Sequence, residues 1–505
     1  MPTHSYVLPA DMPLQTIQNA LEGFCLLQGA PVTGTSVYCD SFDWRLHGKQ
    51  MIARLANRRF CIQAFPGNTV ACCRWRRKSP PRFWRDLPPG AARTLAENLL
   101  DMRALMPVLT ITEKTTPLRI QNQDAKTVVR GEASAVTLAS AETIRLLCLQ
   151  GMRGYDRELR ACTRALARLG LNALDSPFFL FLCQQAGIRP GAYCAKVRTQ
   201  LQADMHAAAA VVRILRDLFH TMTANEHGMI QDIDSEFVHD FRVAVRRTRS
   251  ALTTFKQVFA AHEAEAYKNR FRQLGKATNA IRDLDVYLLT RDTYMRDLPA
   301  ELRNGLGPFF TALKRLRARE LRRVKNLLAS QAYVELKQQW PAFLQEHNDF
   351  AEKNSRAPIL PLAQKTIWKR YRKIIKMGTA IRGDSPDADL HALRIECKKL
   401  RYLMEFTASL FAAKPITRLI KALKAFQDGL GLFNDYCVQK AFLLDFIAHN
   451  SGLNPHTAAA LGGLIVQLQL RKEQKRSEFA GSFKQFNSTA VRGVFAGLFK
   501  PRQSG

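Results

Sequence analysis

The chain has 505 residues, of which 47% are hydrophobic, and this composition excludes a chain that is disordered throughout. Its 75 Lys and Arg residues outnumber 43 Asp and Glu residues, so the formal net charge is +32. Such an excess predicts a polyanionic partner, which would be a nucleic acid, an anionic membrane surface or a phosphate polymer.

The first 130 residues or so contain short apolar or alternating runs that Gly, Asn and Pro interrupt. These runs lie at 36–46, 50–65, 69–75 and 109–133, and helices are predicted at about 13–28 and 90–104. The pattern predicts an α+β domain built on an antiparallel sheet.

From residue 153 onward, apolar residues recur every three or four positions and strand signals disappear. This periodicity predicts an all-α domain of packed helices. The predicted helices cover about 200–222, 235–261, 264–290, 300–329, 331–351, 361–378, 387–411, 415–430, 434–449 and 456–478.

The eleven cysteines are scattered, with no CxxC pair and no Cys/His spacing that suits zinc. The first fifteen residues lack the basic start and apolar core of a signal peptide, and no window reaches the roughly 18 uncharged apolar residues of a membrane span. We therefore expect a cytoplasmic protein with reduced thiols, no metal, no cofactor and no membrane partner.

One basic motif occurs twice in the helical half. "HDFRVAVRRTR" at 239–249 and "HALRIECKKLR" at 391–401 share the pattern H-x-x-R-x-x-x-[RK]-[RK]-x-R, 152 residues apart. Asp283 and Asp435, in predicted acidic turns downstream of each copy, keep the same spacing. The repetition indicates an internal duplication that yields two similar helical bundles.

Each copy places its cations on one side of a helix, because a helix turns by roughly 100° per residue. The two predicted stripes are His239, Arg242, Arg246 and Arg249, and His391, Arg394, Lys398 and Arg401. Arg247 points away from its stripe. Like charges on one face destabilise an isolated helix, so a shared anion-binding groove is one interpretation and a merely solvated face is the other. The histidines would either contact the ligand or anchor their helices. For the two aspartates we favour ion pairing within each repeat over a catalytic pair.

The repeated segments resemble the signature of the CHAD domain, the conserved histidine α-helical domain. The similar stretches are "HDFRVAVRRTRSAL", "LGKATNAIRDLDV", "HALRIECKKLRYLMEF" and "FQDGLGLFNDYCV", within about 200–490. The resemblance implies two pseudo-symmetric bundles around a basic groove or channel that binds inorganic polyphosphate. The implied contacts are the eight stripe residues and the basic doublet positions Arg247 and Lys399. Charge alone adds Lys276, Lys369, Arg370, Arg372, Lys373 and Lys376.

The N-terminal half resembles a diverged CYTH domain, the fold of the triphosphate tunnel enzymes. The similar stretches are "VYCDSFDWRLHGKQMIARL", "LQGMRGYDRELRACTRALARLGL" and "AGIRPGAYCAKV". The resemblance implies a tunnel-like barrel, with domains at 1–198 and 199–505 and repeats at about 200–355 and 356–490. The E-x-E-x-K motif that holds metal and triphosphate in that family is missing, because its expected place reads "THSYVLP". The basic positions that remain for phosphate are Arg54, Arg74, Arg76, Arg119, Arg130 and Lys196.

Three functions follow from these patterns. The first is polyphosphate binding in the cytoplasm, which includes binding to polyphosphate granules. The second is nucleic-acid binding, although no recognised module for it appears. The third is triphosphate hydrolysis by the N-terminal half, against which the missing motif argues, so that enzymatic activity stays undecided and no catalytic residue is assigned. The sequence does not indicate the oligomeric state.

Overall fold

The computed structural model describes residues 3–65, 68–195, 199–346, 357–450 and 452–501. The chain divides into two compact units, Met1–Cys194 and Ala195–Gly505. Lys196 lies outside the described residues.

The first unit is built on an antiparallel sheet of nine strands among the residues described. They are β1 (Thr3–Leu8), β2 (Cys25–Gln28), β3 (Val32–Asp40), β4 (Met51–Ala56), β5 (Arg59–Ala64), β6 (Asn68–Arg74), β7 (Met106–Gln121), β8 (Thr127–Thr137) and β9 (Thr143–Gly151). The order is β1-β9-β8-β7-β3-β4-β5-β6, and β2 pairs with β7. The sheet begins at β1 and ends at β6, so it does not close into the tunnel-like barrel that the resemblance implied.

Four helices accompany the sheet in the described part of this unit: α1 (Leu14–Ala20), α2 (Ala91–Leu100), α3 (Asp156–Arg168) and α4 (Phe178–Gln185). Alternation along β3 sends neighbouring side chains to opposite faces. Tyr38 packs in a cluster with Phe179 of α4, whereas Cys39 packs in a cluster with Leu100 of α2. Apolar clusters therefore form on both faces of the sheet.

The predicted helix over 13–28 is wrong in its second half. α1 ends at Ala20, and the chain then enters β2 at Cys25. Gly23 lies between them with φ +79°, a backbone conformation that turns the chain and that glycine adopts at no steric cost.

The expectation of reduced thiols fails for one pair. Cys61 of β5 and Cys72 of β6 are directly opposite in the antiparallel register and form a disulfide. The other nine cysteines are free thiols.

The second unit is helical throughout its described elements. Its helices are α5 (Ala207–Ala224), α6 (Glu226–Ile230), α7 (Ser235–Thr254), α8 (Ala261–Ala277), α9 (Asn279–Leu289), α10 (Arg291–Asp297), α11 (Ala300–Arg303), α12 (Leu306–Leu328), α13 (Gln331–Glu346), α14 (Ile359–Ala380), α15 (Asp387–Phe406), α16 (Ala413–Ala448), α17 (Pro455–Ser477), α18 (Phe479–Phe486) and α19 (Thr489–Phe499). No helix among the residues described is long and apolar enough to cross a membrane.

The first residues of corresponding helices have the same spacing as the two copies of the basic motif. α14, α15 and α16 begin 152 residues after α5, α7 and α8 respectively. α7 and α15 also end 152 residues apart and have 20 residues each. The duplication therefore extends from the motif to the arrangement of helices along the chain.

The predicted break between helices at 415–430 and 434–449 is absent, because α16 runs without interruption. Gly429 and Gly431 fall inside it, where each lowers helix propensity by about 1 kcal/mol relative to alanine. Burial of Phe426, Leu430 and Phe433 around them offsets that cost. In consequence Asp435 lies within α16, and Asp283 within α9, rather than in the predicted turns.

Candidate functional site

The two basic stripes lie on helices whose opposite faces are anchored in the core. α7 starts at Asp234, whose carboxylate accepts hydrogen bonds from the backbone N–H groups of Glu236 and Phe237 at 2.9 and 3.3 Å. Phe237 and Phe241 are buried one turn apart. On α15 a matching apolar face is buried through Leu393, Cys397 and Leu400. Burial of these faces leaves the stripe residues on the remaining surface of each helix.

The two stripes meet where α7 and α15 pack together. The Arg246 guanidinium on α7 is close enough to Arg394 and Lys398 on α15 to disfavour their charged forms. Arg246 also repels Arg242 of its own stripe. The structure thus brings together predicted residues from both repeats, and we call Arg242, Arg246, Arg394, Lys398 and Arg401 the cationic junction.

Lys398 has the largest electrostatic perturbation in the cationic junction. Burial, together with repulsion from Arg246, Arg394 and Arg401, lowers the pKa of Lys398 to about 7. Attraction to Asp435 opposes this shift without cancelling it. The ammonium group therefore lies among cations that outnumber the acids beside them, which is the electrostatic condition for binding an anion.

Arg242 is held by hydrogen bonds to residues where α8 ends and α9 begins. Its Nη1 donates to the carbonyl of Gly275 at 2.9 Å and to Thr278 at 3.0 Å, while Nη2 donates to Asn279 at 2.6 Å. Burial, with repulsion from neighbouring arginines and despite attraction to Asp283, lowers the pKa of Arg242 to about 10. These neutral partners fix the guanidinium without neutralising its charge.

In the second repeat, residues of α16 hold the stripe of α15 in place. The Nδ1 atom of His391 lies 2.5 Å from Asn434 Oδ1, and Arg394 Nη2 donates to Asp435 at 3.4 Å. Asp435 and Asp283 are close enough to repel each other, so the acids of the two repeats also meet. A hydrogen bond to Asn434 supports the helix-anchor alternative for this histidine.

Several stripe arginines keep an unused hydrogen-bond donor. The Nε atoms of Arg249, Arg394 and Arg401 are buried and have no hydrogen-bond partner among the described residues. The Nε atoms of Arg247 and Arg370, outside the stripes, are also buried without a hydrogen-bond partner in the described part of the chain, so this feature does not by itself mark a ligand site.

The basic doublet positions are paired within the protein. Arg247 is buried, donates to Glu405 at 2.7 Å and to the carbonyl of Ala195 at 3.1 Å, and stacks over Tyr402. Glu405 also accepts from Arg401 at 3.4 Å. This arrangement explains why Arg247 points away from its stripe.

Another acid of α15, the buried Glu396, pairs with three more of the candidate cations. Glu396 lies 2.8 Å from Lys399, 3.2 Å from Arg370 and 3.3 Å from Lys373. Burial raises the pKa of Glu396, but these lysines outweigh that effect and hold it below its ordinary value. The sequence reasoning missed Glu396 and Glu405, although they are the acids of α15 beyond its first turn.

The remaining candidates are exposed on neighbouring helices. Lys276 is in the last turn of α8, and Lys369, Arg372 and Lys376 lie along α14. The positions of α5 that correspond to these three α14 residues are Asp217, His220 and Ala224, so the α14 cations belong to one repeat alone.

Among the described residues, the phosphate positions predicted for the N-terminal half do not gather into one cluster of free cations. Arg54 is bound to Glu113 at 2.5 Å and to Ser36 at 2.8 Å. Arg119 and Arg130 are opposite each other on β7 and β8. Arg74 and Arg76 are exposed near the end of β6.

Comparison with known proteins identifies the helical unit. The family model of the CHAD domain matches residues 213–444. Two uncharacterized proteins of Mycobacterium tuberculosis, from strains CDC 1551 and H37Rv, are each 29% identical over 219 residues, which is 41% of this chain. The match spans 40% of the length of these relatives.

Two solved structures are also similar. One is the CHAD domain from the plant Ricinus communis, with 23% identity, a TM-score of 0.46, and coverage of 62% of this chain and 98% of that one. The other is PptA from Streptomyces chartreusis, with 16% identity, a TM-score of 0.43, and coverage of 55% and 100%. The family match covers residues 213–444, which include both copies of the basic motif. This chain therefore contains a CHAD domain.

Proposed function

We propose that the helical unit binds inorganic polyphosphate at the cationic junction. The observation that carries the proposal is the proximity of Arg246 from one repeat to Arg394 and Lys398 from the other. Burial of Lys398 beside these like charges disfavours its ammonium form, as its pKa of about 7 indicates. A polyanion bound across both stripes would offset that effect, and the CHAD family is associated with polyphosphate.

The surroundings of the junction favour a phosphate polymer over a nucleic acid. Polyphosphate presents a dense row of anionic oxygens and no bases. Arginine matches such oxygens with paired N–H donors, and lysine adds a compact charge. The neighbouring aromatic ring, Tyr402, is buried and covered by Arg247 and Arg401. It therefore offers no open face on which a base could stack.

The candidate residues divide into two roles in this proposal. The arginines and the lysine of the stripes contact phosphate, and His391 anchors its helix through Asn434. Arg247 and Lys399 position the helices through Glu405 and Glu396. The exposed cations of α8 and α14 extend the positive surface. These are Lys276, Lys369, Arg372 and Lys376.

The test compares ligands at matched charge and moderate salt. Long-chain polyphosphate should bind more tightly than single- or double-stranded nucleic acid. The triple variant Arg246→Ala, Arg394→Ala and Lys398→Ala should lose at least about 1,000-fold in affinity, since each of the three charged contacts contributes roughly 1.5 kcal/mol or more.

A matched control removes the same charge from elsewhere in the unit. Lys314, Arg315 and Lys325 are exposed on α12, and their replacement by alanine also removes three positive charges. This control should bind polyphosphate within about threefold of the wild type, because exposed charges outside the stripes act mainly through screened long-range attraction. Equal losses in both triple variants, or equally tight binding of nucleic acid, would refute the proposed site or ligand.

A further part of the proposal is that polyphosphate binding brings the protein to polyphosphate granules. A fluorescent fusion should then coincide with granules in cells, and the cationic-junction variant should be dispersed while the α12 control stays on them. Coincidence of the junction variant with granules would show that something other than this site recruits the protein.

We also propose that the N-terminal unit is a diverged CYTH domain without triphosphatase activity. Its antiparallel sheet supports the relationship. The cation that faces the sheet's cavity, Arg54, is already neutralised by Glu113. No phosphate release from tripolyphosphate with Mg²⁺ or Mn²⁺ is expected, and clear turnover would overturn the second half of this proposal.

A further inference from the structure

A cavity of about 310 Å³ lies on one face of the N-terminal sheet. The strand register brings its walls together, because Tyr38 of β3 is opposite Arg54 of β4, and Glu132 of β8 is opposite Cys148 of β9. Phe179 of α4 covers one side. A volume of this size accepts a small organic molecule.

The charges that line this cavity are unequal. Glu113 is neutralised, because Arg54 contacts it at 2.5 Å and the Ser36 hydroxyl donates to it at 2.5 Å. The second carboxylate, Glu132, lines the cavity from a solvent-exposed position. It has no ion pair and no hydrogen bond to its side chain among the described residues, although it attracts Arg54 over a longer distance.

The other titratable groups of the wall do not supply a compensating charge. Burial raises the pKa of Tyr38 to about 12, and attraction to Arg54 opposes this shift only in part. Burial also raises the pKa of the Cys148 thiol. Both groups are therefore neutral near pH 7, so two carboxylates and one guanidinium leave the cavity with one net negative charge.

The rest of the wall is aromatic and aliphatic. The ring of Phe179 lies 5.2 Å from Tyr38 and stacks on Phe65 at 6.1 Å between centroids. Arg54 occupies the face of Tyr38, with its guanidinium 5.6 Å from the ring centroid. Aromatic rings attract cations through their negative faces, and they also pack against apolar groups.

We propose that this cavity binds a small organic cation, an ammonium group carried on an apolar body, with Glu132 as its counter-ion. Phosphates and other anions are disfavoured within the lining, because its free charge is negative and its guanidinium is paired with Glu113. Arg119 and Arg130 lie on the same face of the sheet, one residue pair beyond Glu132 on β7 and β8, and do not belong to the lining. This inference concerns the N-terminal unit and does not depend on polyphosphate binding by the helical unit.

The register also gives a length for the ligand. Glu132 is opposite Cys148, and the next cavity residue along β9 on the same face is Leu146, which belongs to the same apolar cluster as Phe179. Two residues of a strand span roughly 7 Å. The ammonium group and the apolar end of the ligand should therefore be separated by no more than about that distance, a limit that a single benzene ring carrying the ammonium group meets.

Phenyltrimethylammonium is a suitable probe, with benzenesulfonate as the anion of similar shape. Titration calorimetry on the full chain should detect the cation and not the sulfonate. General electrostatic attraction cannot explain such a preference, because the chain carries a net charge of +32. Absence of cation binding up to about 10 mM, or equal binding of the sulfonate, would overturn the proposal.

The variant Glu132→Gln keeps the side chain's shape and removes its charge, so it should weaken cation binding at least about tenfold. The matched control is Glu142→Gln, an exposed glutamate in the turn between β8 and β9, which should leave the affinity unchanged. An equal loss in both variants would contradict the role of Glu132.

A second measurement locates the ligand without any substitution. Cys148 lines the cavity as a free thiol, so the bound cation should slow its alkylation, followed by peptide mass spectrometry. Cys25 is an exposed free thiol outside the cavity and serves as the internal control. Slowing of Cys25 and Cys148 alike, or of neither, would place the cation elsewhere.

Discussion

Lys398 should make polyphosphate binding depend on pH. In the free protein its pKa is about 7, because burial and the nearby Arg246, Arg394 and Arg401 disfavour the charged form and Asp435 compensates only in part. A bound polyanion favours the ammonium form and should raise this pKa towards the ordinary lysine value of about 10.4. Binding at pH 8 should therefore take up close to one proton at Lys398.

The size of the effect follows from the fraction of Lys398 that is already protonated. With a pKa of about 7, that fraction falls from about 0.9 at pH 6 to about 0.1 at pH 8, so the affinity should fall by up to about tenfold over this range. Because the side chain is partly exposed to water, tenfold is an upper value.

Stability of the ligand-free protein should change in the opposite direction. The folded-state pKa of Lys398 lies below its unfolded value, so the unfolded chain binds more protons at this group between about pH 7 and pH 10. The contribution of Lys398 to the free energy of unfolding should therefore rise with pH through this window. Urea unfolding of the wild type and of Lys398→Met at several pH values would measure that difference.

The binding assay is calorimetry with long-chain polyphosphate, in buffers of different ionisation enthalpy. Lys398→Met keeps the histidines and the same ligand, so the difference in pH dependence between wild type and variant isolates this lysine. Equal proton uptake in both proteins, or a wild-type affinity that does not fall between pH 6 and pH 8, would refute the reasoning.

Three further outcomes are expected. Gly305→Ala should destabilise the helical unit by about 1–3 kcal/mol in urea unfolding, because a Cβ there would lie 2.3 Å from the carbonyl oxygen of His456. The control Gly307→Ala places its Cβ in open space and should be neutral or stabilising in the same assay. Glu405→Gln should cost roughly 2 kcal/mol or more, because it leaves the buried Arg247 guanidinium without its counter-ion; urea unfolding that matches the wild type would contradict this. Alkylation of the denatured, unreduced chain should add nine labels, rising to eleven after reduction, and eleven labels at once would show that the disulfide is absent.

The sequence predicted the duplicated helices well because their signals are local. The helical period and the fixed spacing of 152 residues place His239 and His391 at equivalent points of α7 and α15, and the same spacing recurs in the helix starts. Local signals failed where burial outweighed propensity, as in α16, which continues through Gly429 and Gly431.

Pairings between distant residues could not be predicted in the same way. Arg247 and Glu405 are 158 residues apart, and Arg54 and Glu113 are 59 apart. No periodicity encodes such distances. The helical period predicts that Arg247 points away from its stripe, but only the structure shows that Glu405 pairs with it while Arg246 is exposed at the cationic junction.

The amino-acid sequence by itself determined the fold class, the repeat and the set of cations from which a binding surface is built. Tertiary structure alone decided which of those cations are neutralised by Glu396 and Glu405, and that the stripes of both repeats meet at Lys398. It also decided that Glu132 lines a cavity with aromatic walls. The physical reason is that charge and helical period are properties of neighbouring residues, whereas burial and ion pairing depend on which distant segments pack together.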